Sequence, residues 1–267
     1  MAAIAAYSFQ EKTILITGGA GDIGKATAHR FAQGGADIVL LDINKDKLDE
    51  AAEELREYKA SVHAFCCDVT ESDTVEQTFD NALERAGRIN YIFNNAGFQG
   101  AFAPTDRYPE EDFRKVIDIN VLGVFNVLKV SAQHLKQQQG GAIVNMASYA
   151  GVVGPPNMLA YAASKFAVIG MTQTAAKDLA PAHIRVNSLS PALIGPGMMW
   201  TRQTQLQANA GSQYFSADPK QVEQQMLASV PMRRLGTLSE VANGVAFLMS
   251  DEASYITGFN LEITGGQ

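Results

Sequence analysis

Seven short apolar runs punctuate the chain, and longer stretches with apolar residues every three or four positions lie between them. The runs KTILIT, ADIVLLD, SVHAFC, NYIFN, GAIVNMA, IRVNSLS and FNLEI read as strands. Several are continuously apolar rather than alternating, as parallel strands are when helices cover both faces. The intervening patterns predict helices over 22–33, 45–58, 71–86, 109–136, 159–180 and 238–249. Alternation of this kind demands right-handed crossovers, so an α/β fold with a doubly wound, seven-stranded parallel sheet is expected. No repeat, linker or low-complexity tract interrupts the chain, and residues 1–267 are read as a single domain.

One stretch breaks the rhythm. Residues 195–226, GPGMMWTRQTQLQANAGSQYFSADPKQVEQQM, follow a strand and are rich in Gln, Met and Gly. Long insertions in compact folds are commonly binding loops, so this one is read as a helical substrate lid. A plain surface helical hairpin is the alternative.

The turn between the first strand and the first helix reads TGGAGDIG, Thr17 to Gly24. Backbone N–H groups at a helix N-terminus attract pyrophosphate and glycines let it approach, which singles out Gly18, Gly21, Ile23 and Gly24. Asp22 stands where such loops favour glycine. An Asp tolerates left-handed backbone and can fold its carboxylate back onto the helix start, so the turn is expected to survive. Asp42 ends the second strand, where a carboxylate accepts bonds from ribose hydroxyls and repels a 2′-phosphate. NAD is therefore preferred to NADP. The alternative for Asp42 is a cap on the helix that starts near Asn44.

Further along, SYAGVVGPPNMLAYAASK places Ser148 just past a strand, with Tyr161 and Lys165 one helical turn apart on a shared face. Open sheets bind ligands at that end of their strands. A phenol is a weak base at neutral pH. Bringing its pKa down by ~3 takes ~4 kcal/mol, which a close ammonium and the nicotinamide cation can supply in a partly desolvated site. Ser148 would then orient the oxygen of an alcohol or ketone while Tyr161 moves its proton. Lys165 would hold the charge and reach the nicotinamide ribose.

In chain order, TGGAGDIG, LLD, CDV with Asp68 and Val69, NNAG at Asn94–Gly97, INV with Asn120, then Ser148, YAASK and SPALI resemble the motifs of the short-chain dehydrogenase/reductase superfamily. The resemblance covers essentially the whole chain. It implies a Rossmann domain, an NAD-dependent oxidoreductase and a working set of Asn120, Ser148, Tyr161 and Lys165. In that set Asn120 supports a water that relays protons through Lys165; read alone, Asn120 is a helix-kink or core amide. The resemblance also implies Asp68 and Val69 beside adenine, with Asn95, Ala96 and Gly97 under the nicotinamide half and Pro191 and Ile194 bordering it. Two positions depart from the pattern, Asp22 and Ala192. Ala192 stands where the family has glycine, and a positive φ there would cost alanine about 1 kcal/mol.

On the substrate side, Gln99, Asn157 and the segment's Gln203, Gln205, Gln207, Asn209 and Gln213 offer neutral donors and acceptors without a cluster of cations. That suits a neutral polyol better than an acyl phosphopantetheine or a carboxylic acid. Met198, Met199 and Trp200 either wall the substrate or pack the segment down, and Met199 is the candidate contact. NNAGFQGAFAP, GPPNM, GPGMMW and GSQYFS resemble the substrate side of the family's bacterial NAD-dependent xylitol dehydrogenases. This implies oxidation of a polyol's secondary hydroxyl to a ketose. A cyclic or aromatic secondary alcohol against Phe98 is the competing substrate. A non-catalytic NAD-binding regulator is the competing class, one with no need of Ser148, Tyr161 and Lys165.

The net charge of −7 argues against nucleic acid or an anionic membrane as partner. The opening MAAIAAYSF lacks the basic start of a leader, and no apolar run approaches the roughly 20 residues of a membrane span. Adjacent Cys66 and Cys67 read as reduced thiols, so a cytoplasmic location is expected. The histidines show no metal-ligand spacing, and no metal is expected. The helices over 109–136 and 159–180 carry apolar residues on more than one face, including Val121, Phe125, Phe166 and Met171. Helices apolar all round are covered on both sides. The resemblance implies that a homotetramer covers them.

Overall fold

The computed structural model describes residues 7–267, so the reading of the first residues as free of a leader lies largely outside the described residues. Seven strands are present: β1 (Thr13–Thr17), β2 (Asp37–Asp42), β3 (Val62–Cys66), β4 (Tyr91–Asn94), β5 (Gly141–Met146), β6 (Ile184–Pro191) and β7 (Asn260–Ile263). They form one sheet in the order β3-β2-β1-β4-β5-β6-β7, with every pairing parallel. This is the doubly wound Rossmann arrangement expected from the hydropathy pattern.

The helices among the described residues are α1 (Asp22–Gln33), α2 (Lys45–Glu54), α3 (Ser72–Ala86), α4 (Glu110–Ile117), α5 (Val124–Gln138), α6 (Leu159–Leu179), α7 (Met198–Asn209), α8 (Pro219–Ser229) and α9 (Leu238–Met249). Successive β1 side chains serve opposite layers. Ile14 and Ile16 pack with Phe31 of α1 and Val241 and Val245 of α9. Leu15 packs with Phe79 of α3, Val127 of α5 and Leu179 of α6. Burial on both faces is why the strands read as unbroken apolar runs, and each such side chain contributes roughly 1.5–3 kcal/mol.

Two elements differ from expectation. The second helix stops at Glu54 and tightens into a 3₁₀ turn, Leu55–Glu57. The helix read over 109–136 is interrupted by a π segment, Asp118–Gly123, between α4 and α5. Periodicity cannot reveal a single inserted turn of this kind, which commonly marks a working site. The composite helix Glu110–Gln138 is also long and apolar enough, by length and composition, to cross a membrane, which corrects the expectation that no run approaches that length. Its two arms pack against α3 and α6.

Residues 195–226 fold into α7 and most of α8. Trp200 is buried against Val222 and Met226, and its indole N–H donates to Glu223 Oε1 at 3.2 Å. Trp200 therefore joins the two helices, while its neighbours Met198 and Met199 stay exposed.

The β1–α1 turn is tightly wound. Gly18 takes φ +63°, and a Cβ placed on Gly24 would lie 2.3 Å from the Gly18 carbonyl oxygen. A Cβ on Gly21 would meet the same atom at an ordinary 3.4 Å. Backbone cannot yield as a flexible side chain does, so Gly24→Ala is expected to cost about 1–3 kcal/mol. At roughly 2–4 °C per kcal/mol the thermal midpoint falls by several degrees, while Gly21→Ala stays close to wild type. Equal midpoints for the two variants would contradict this packing.

Candidate active site

The order β3-β2-β1-β4 makes the crossovers leave β1 and β4 in opposite directions, which opens a crevice beyond their C-terminal ends. Hydrogen bonds lace the two strand ends together. Thr17 Oγ1 accepts from the Asn95 and Ala96 N–H groups, and Asn95 Nδ2 donates to the carbonyls of Thr17 and Gly18. A cavity of about 760 Å³ fills the crevice.

Of the residues assigned to a dinucleotide, Gly18, Gly21, Asp22, Ile23, Asp42, Asn95, Ala96, Gly97, Pro191 and Ile194 line this cavity. Gly24 does not line it; it packs the turn instead. Asp68 and Val69 also lie outside the lining. Asp68 Oδ1 accepts from the backbone and hydroxyl of Thr70, and Val69 is a core residue against α3 and α5. Their place at the end of β3, beside Asp42, is held by a bond from the Cys67 N–H to the Asp42 carbonyl.

Asp42 is clamped by two backbone groups. Its Oδ2 accepts from Ala20 N–H at 3.1 Å and its Oδ1 from Asn44 N–H at 3.0 Å. Asn44, not Asp42, caps α2, accepting from the Lys47 N–H. Asp22 departs from its expected role. It is the first residue of α1, outside the left-handed region, and no side chain caps that helix. An acidic residue in a first helical turn is favoured by the helix dipole, which is why glycine is dispensable here. Its carboxylate faces Gly197 across the cavity rather than folding back. Ala192 also avoids positive φ, so the anticipated strain is absent.

The second wall carries Ser148, Tyr161 and Lys165 together. The Ser148 hydroxyl accepts from Ala150 N–H at 3.2 Å and lies near enough to the Tyr161 phenol to favour its ionised form. One turn along α6, the Lys165 ammonium lies 5.6 Å from the centre of the Tyr161 ring and donates to the Met146 carbonyl at 2.7 Å. Lys165 is almost fully buried, and loss of solvation brings its pKa down to about 8. In the protein without cofactor, loss of solvation pushes Tyr161 up, and the neighbouring Ser148 hydroxyl only partly counters it. The expected fall counted on the nicotinamide cation as well as the ammonium.

Asn120 does not line the cavity. It lies fully buried in the π segment and grips the chain on both sides: its Oδ1 accepts from Phe98 N–H at 2.7 Å, and its Nδ2 donates to Phe98 O and Ser164 Oγ. A Cβ on Gly97 would sit 3.3 Å from Asn120 Oδ1 and 3.5 Å from Lys165 Nζ. The glycine thus keeps clear the space that links the two side chains.

Among the substrate-side candidates, Gln99, Met199, Gln203 and Gln207 line the cavity, and Met198 joins them. Asn157 does not. Its Nδ2 donates to Gln207 Oε1 at 2.8 Å and Ser212 Oγ at 3.0 Å, so it ties α7 to the body of the protein. Gln205, Asn209 and Gln213 also lie outside the lining, and Gln205 and Asn209 bond each other. Sequence reading missed Arg202, Gln225, Met226, Ser229 and Gln267 of the lining. Arg202 brings one cation to a wall expected to have no cationic cluster, and its guanidinium lies 5.5 Å over the Phe98 ring. A helical register for α7, counted from Met199, would have placed Arg202 and Gln203 on the same face.

Comparison with known proteins gives four strong likenesses. The family model described as Enoyl-(Acyl carrier protein) reductase matches residues 18–267. The crystal structure of an NAD+-bound xylitol dehydrogenase superposes with a TM-score of 0.96 at 52% identity, covering 97% of this chain and 99% of that one. The 3-oxoacyl-(acyl-carrier-protein) reductase of Thermotoga maritima is 38% identical over 96% of this chain and 97% of its own length. Levodione reductase of Leifsonia aquatica is 35% identical over 97% and 95%.

The buried ammonium has a consequence for stability. Below pH 8 Lys165 is charged in both folded and unfolded chains, and its desolvation opposes folding in full. Between 8 and the ordinary 10.5 the folded chain binds fewer protons than the unfolded one, so stability rises with pH. Urea unfolding should show wild type gaining stability relative to Lys165→Met as the pH is raised through that window. A difference that stays flat, or moves the other way, would contradict the burial.

Proposed function

This chain belongs to the short-chain dehydrogenase/reductase superfamily, and on that premise we propose that it interconverts a secondary alcohol of a xylitol-like polyol and the corresponding ketose. It is an oxidoreductase of the NAD type. The residues present fit that cofactor. No side chain caps the first turn of α1, so its N–H groups meet the cavity beside Gly18, Gly21 and Ile23, as a pyrophosphate needs. Asp42, held by two backbone bonds, keeps lone pairs for ribose hydroxyls and repels a 2′-phosphate. Asn95, Ala96, Gly97, Pro191 and Ile194 would border the nicotinamide half.

NAD+, when bound, supplies the acceptor for the alcohol's hydride and a positively charged ring. The protein's own residues manage the proton. Ser148 and the Tyr161 hydroxyl, side by side on the cavity wall, would both address the alcohol oxygen. Tyr161 takes the proton as general base and returns it in the reverse reaction. Lys165 stabilises the resulting phenolate through the ring it flanks, and Asn120 connects it to the interior across the space that Gly97 keeps clear. The single observation that carries this reading is the Ser148–Tyr161–Lys165 set lining one wall of the cavity. A non-catalytic regulator would have no need of it.

The polyol is supported by the neutral amides of Gln99, Gln203 and Gln207 in the lining and by the likeness to a xylitol dehydrogenase. Asn157 favours polyols indirectly, by fixing α7, rather than by touching them. The helical pair would act as a lid over the substrate. Met198, Met199 and Phe215 in the same lining favour the second reading, a cyclic or aromatic secondary alcohol. We propose a homotetramer, because Leu122, Phe125, Leu159 and Phe166 leave an apolar face exposed on the helical layer and Tyr255 and Phe259 leave another near β7; a cytoplasmic location is proposed on the free thiols of Cys66 and Cys67.

NADH absorbance with xylitol, sorbitol and cyclohexanol separates the readings. Tyr161→Phe should lose roughly 10²–10⁴-fold in turnover, the usual contribution of a positioned base. Equal rates in the variant and wild type would remove Tyr161 from that role, and a tenfold preference for cyclohexanol would sink the polyol. Light scattering should report four chains per particle; a one-chain mass would overturn the tetramer.

A further inference from the structure

One side chain in the cavity stands apart from the proton-handling set. Gln99 is only 8% exposed, lines the cavity, and its Oε1 is buried without a hydrogen-bond partner among the described residues. Buried polar atoms are almost always paired, because leaving one unpaired costs free energy that water would otherwise recover. An orphaned acceptor therefore calls for a donor from outside the chain.

The segment carrying Gln99 is held from every side. Immediately before it, both the N–H and the carbonyl of Phe98 are bonded to the Asn120 amide. Immediately after it, Gly100 takes φ +70°, with Val116 so close that an added Cβ would come within 2.5 Å. Tyr108 donates its hydroxyl to Ala101 O at 2.9 Å, and Ala103 N–H donates to Asn157 O at 2.9 Å. The backbone under Gln99 cannot shift without breaking these anchors. A side chain carried on a fixed backbone has less ordering cost to meet on binding, which sharpens its reading of a ligand.

We propose that Gln99 is the specificity-determining residue of the site, pairing with a substrate hydroxyl other than the one that is oxidised. A hydroxyl both gives and takes a hydrogen bond, so it satisfies whichever end of the amide it meets. A ketone or ether oxygen offers no donor to Oε1, and a hydrocarbon offers nothing. Gln99 therefore selects an alcohol that carries a second hydroxyl near the reacting carbon. This deepens the polyol reading and rests on it for the choice of substrate, but it makes a separate demand on the chemistry.

The test compares substrates that differ by one hydroxyl. With NAD+, kcat/KM is measured for xylitol and for the matched pair cyclohexanol and trans-1,2-cyclohexanediol, in wild type and in Gln99→Met, which keeps side-chain length and removes the polar atoms. NADH binding by fluorescence serves as the readout of an intact fold. The variant's diol-to-monool ratio should fall by roughly ten- to a hundredfold, with a matching loss on xylitol, while cyclohexanol and NADH binding stay near wild type. Should Gln99→Met fail to bind NADH, Gln99→Asn, which draws the amide back by one methylene, is expected to give the same fall. An unchanged ratio, or equal losses on both members of the pair, would overturn the assignment. A wild type that prefers cyclohexanol to xylitol tenfold refutes the polyol reading alone, leaving Gln99 to be judged on the diol pair. No turnover of any of the three by wild type overturns both.

Discussion

A lysine ammonium sealed beneath a tyrosine ring is the constraint around which the rest of this structure is arranged. Lys165 is about 2% exposed and makes its bond to a backbone carbonyl, Met146 O, at the end of β5. Charge in such a place is tolerated only when its surroundings hold it fixed and few alternatives exist. The sheet supplies that rigidity. β5 runs between β4 and β6, with every neighbouring residue in register, so the carbonyl cannot move toward solvent with its guest. From this follows the balance at the site: burial disfavours charge on the phenol and the ammonium alike, and positive charge brought by the cofactor would favour the phenolate.

The helical layer is bent to serve that arrangement. A continuous helix through Glu110–Gln138 would be simpler to build, yet the chain inserts a π segment where Asn120 sits. The extra residue turns the Asn120 amide onto Phe98 and Ser164, one on the loop after β4 and one on α6. The same side chain thereby fixes the segment that presents Gln99 and the helix that carries Tyr161 and Lys165. One amide sets two parts of the site relative to each other. This is the advantage of placing it in the interior rather than in the cavity wall.

Much of this was legible in the sequence because it follows from local rules. The all-parallel sheet could be read from unbroken apolar strands, and α9 fills the expected 238–249, with a Thr237–Glu240 capping box fixing its start. Tyr161 and Lys165 could be paired from their four-residue spacing. The features that escaped reading are those decided by tertiary contact. No spacing reveals that the Asp22 carboxylate faces Gly197, that Asn157 ties down α7 from outside the cavity lining, or that Arg202 lies over Phe98. The Tyr161 pKa shows the same limit: the expected fall counted on the nicotinamide cation as well as the ammonium, and in the protein without that cation loss of solvation pushes the phenol up.

The central claim is that the buried phenol and ammonium form a proton-handling pair that is held unready until the cofactor's positive charge arrives. Ultraviolet difference titration, wild type minus Tyr161→Phe, reads the ionisation of this one phenol directly. In the free protein Tyr161 should ionise above the ordinary range for a phenol, and saturating NAD+ should bring that ionisation down by at least one pH unit, roughly 1.4 kcal/mol. A Tyr161 that already ionises below the ordinary range in the free protein, or one that NAD+ leaves unmoved, would contradict the account.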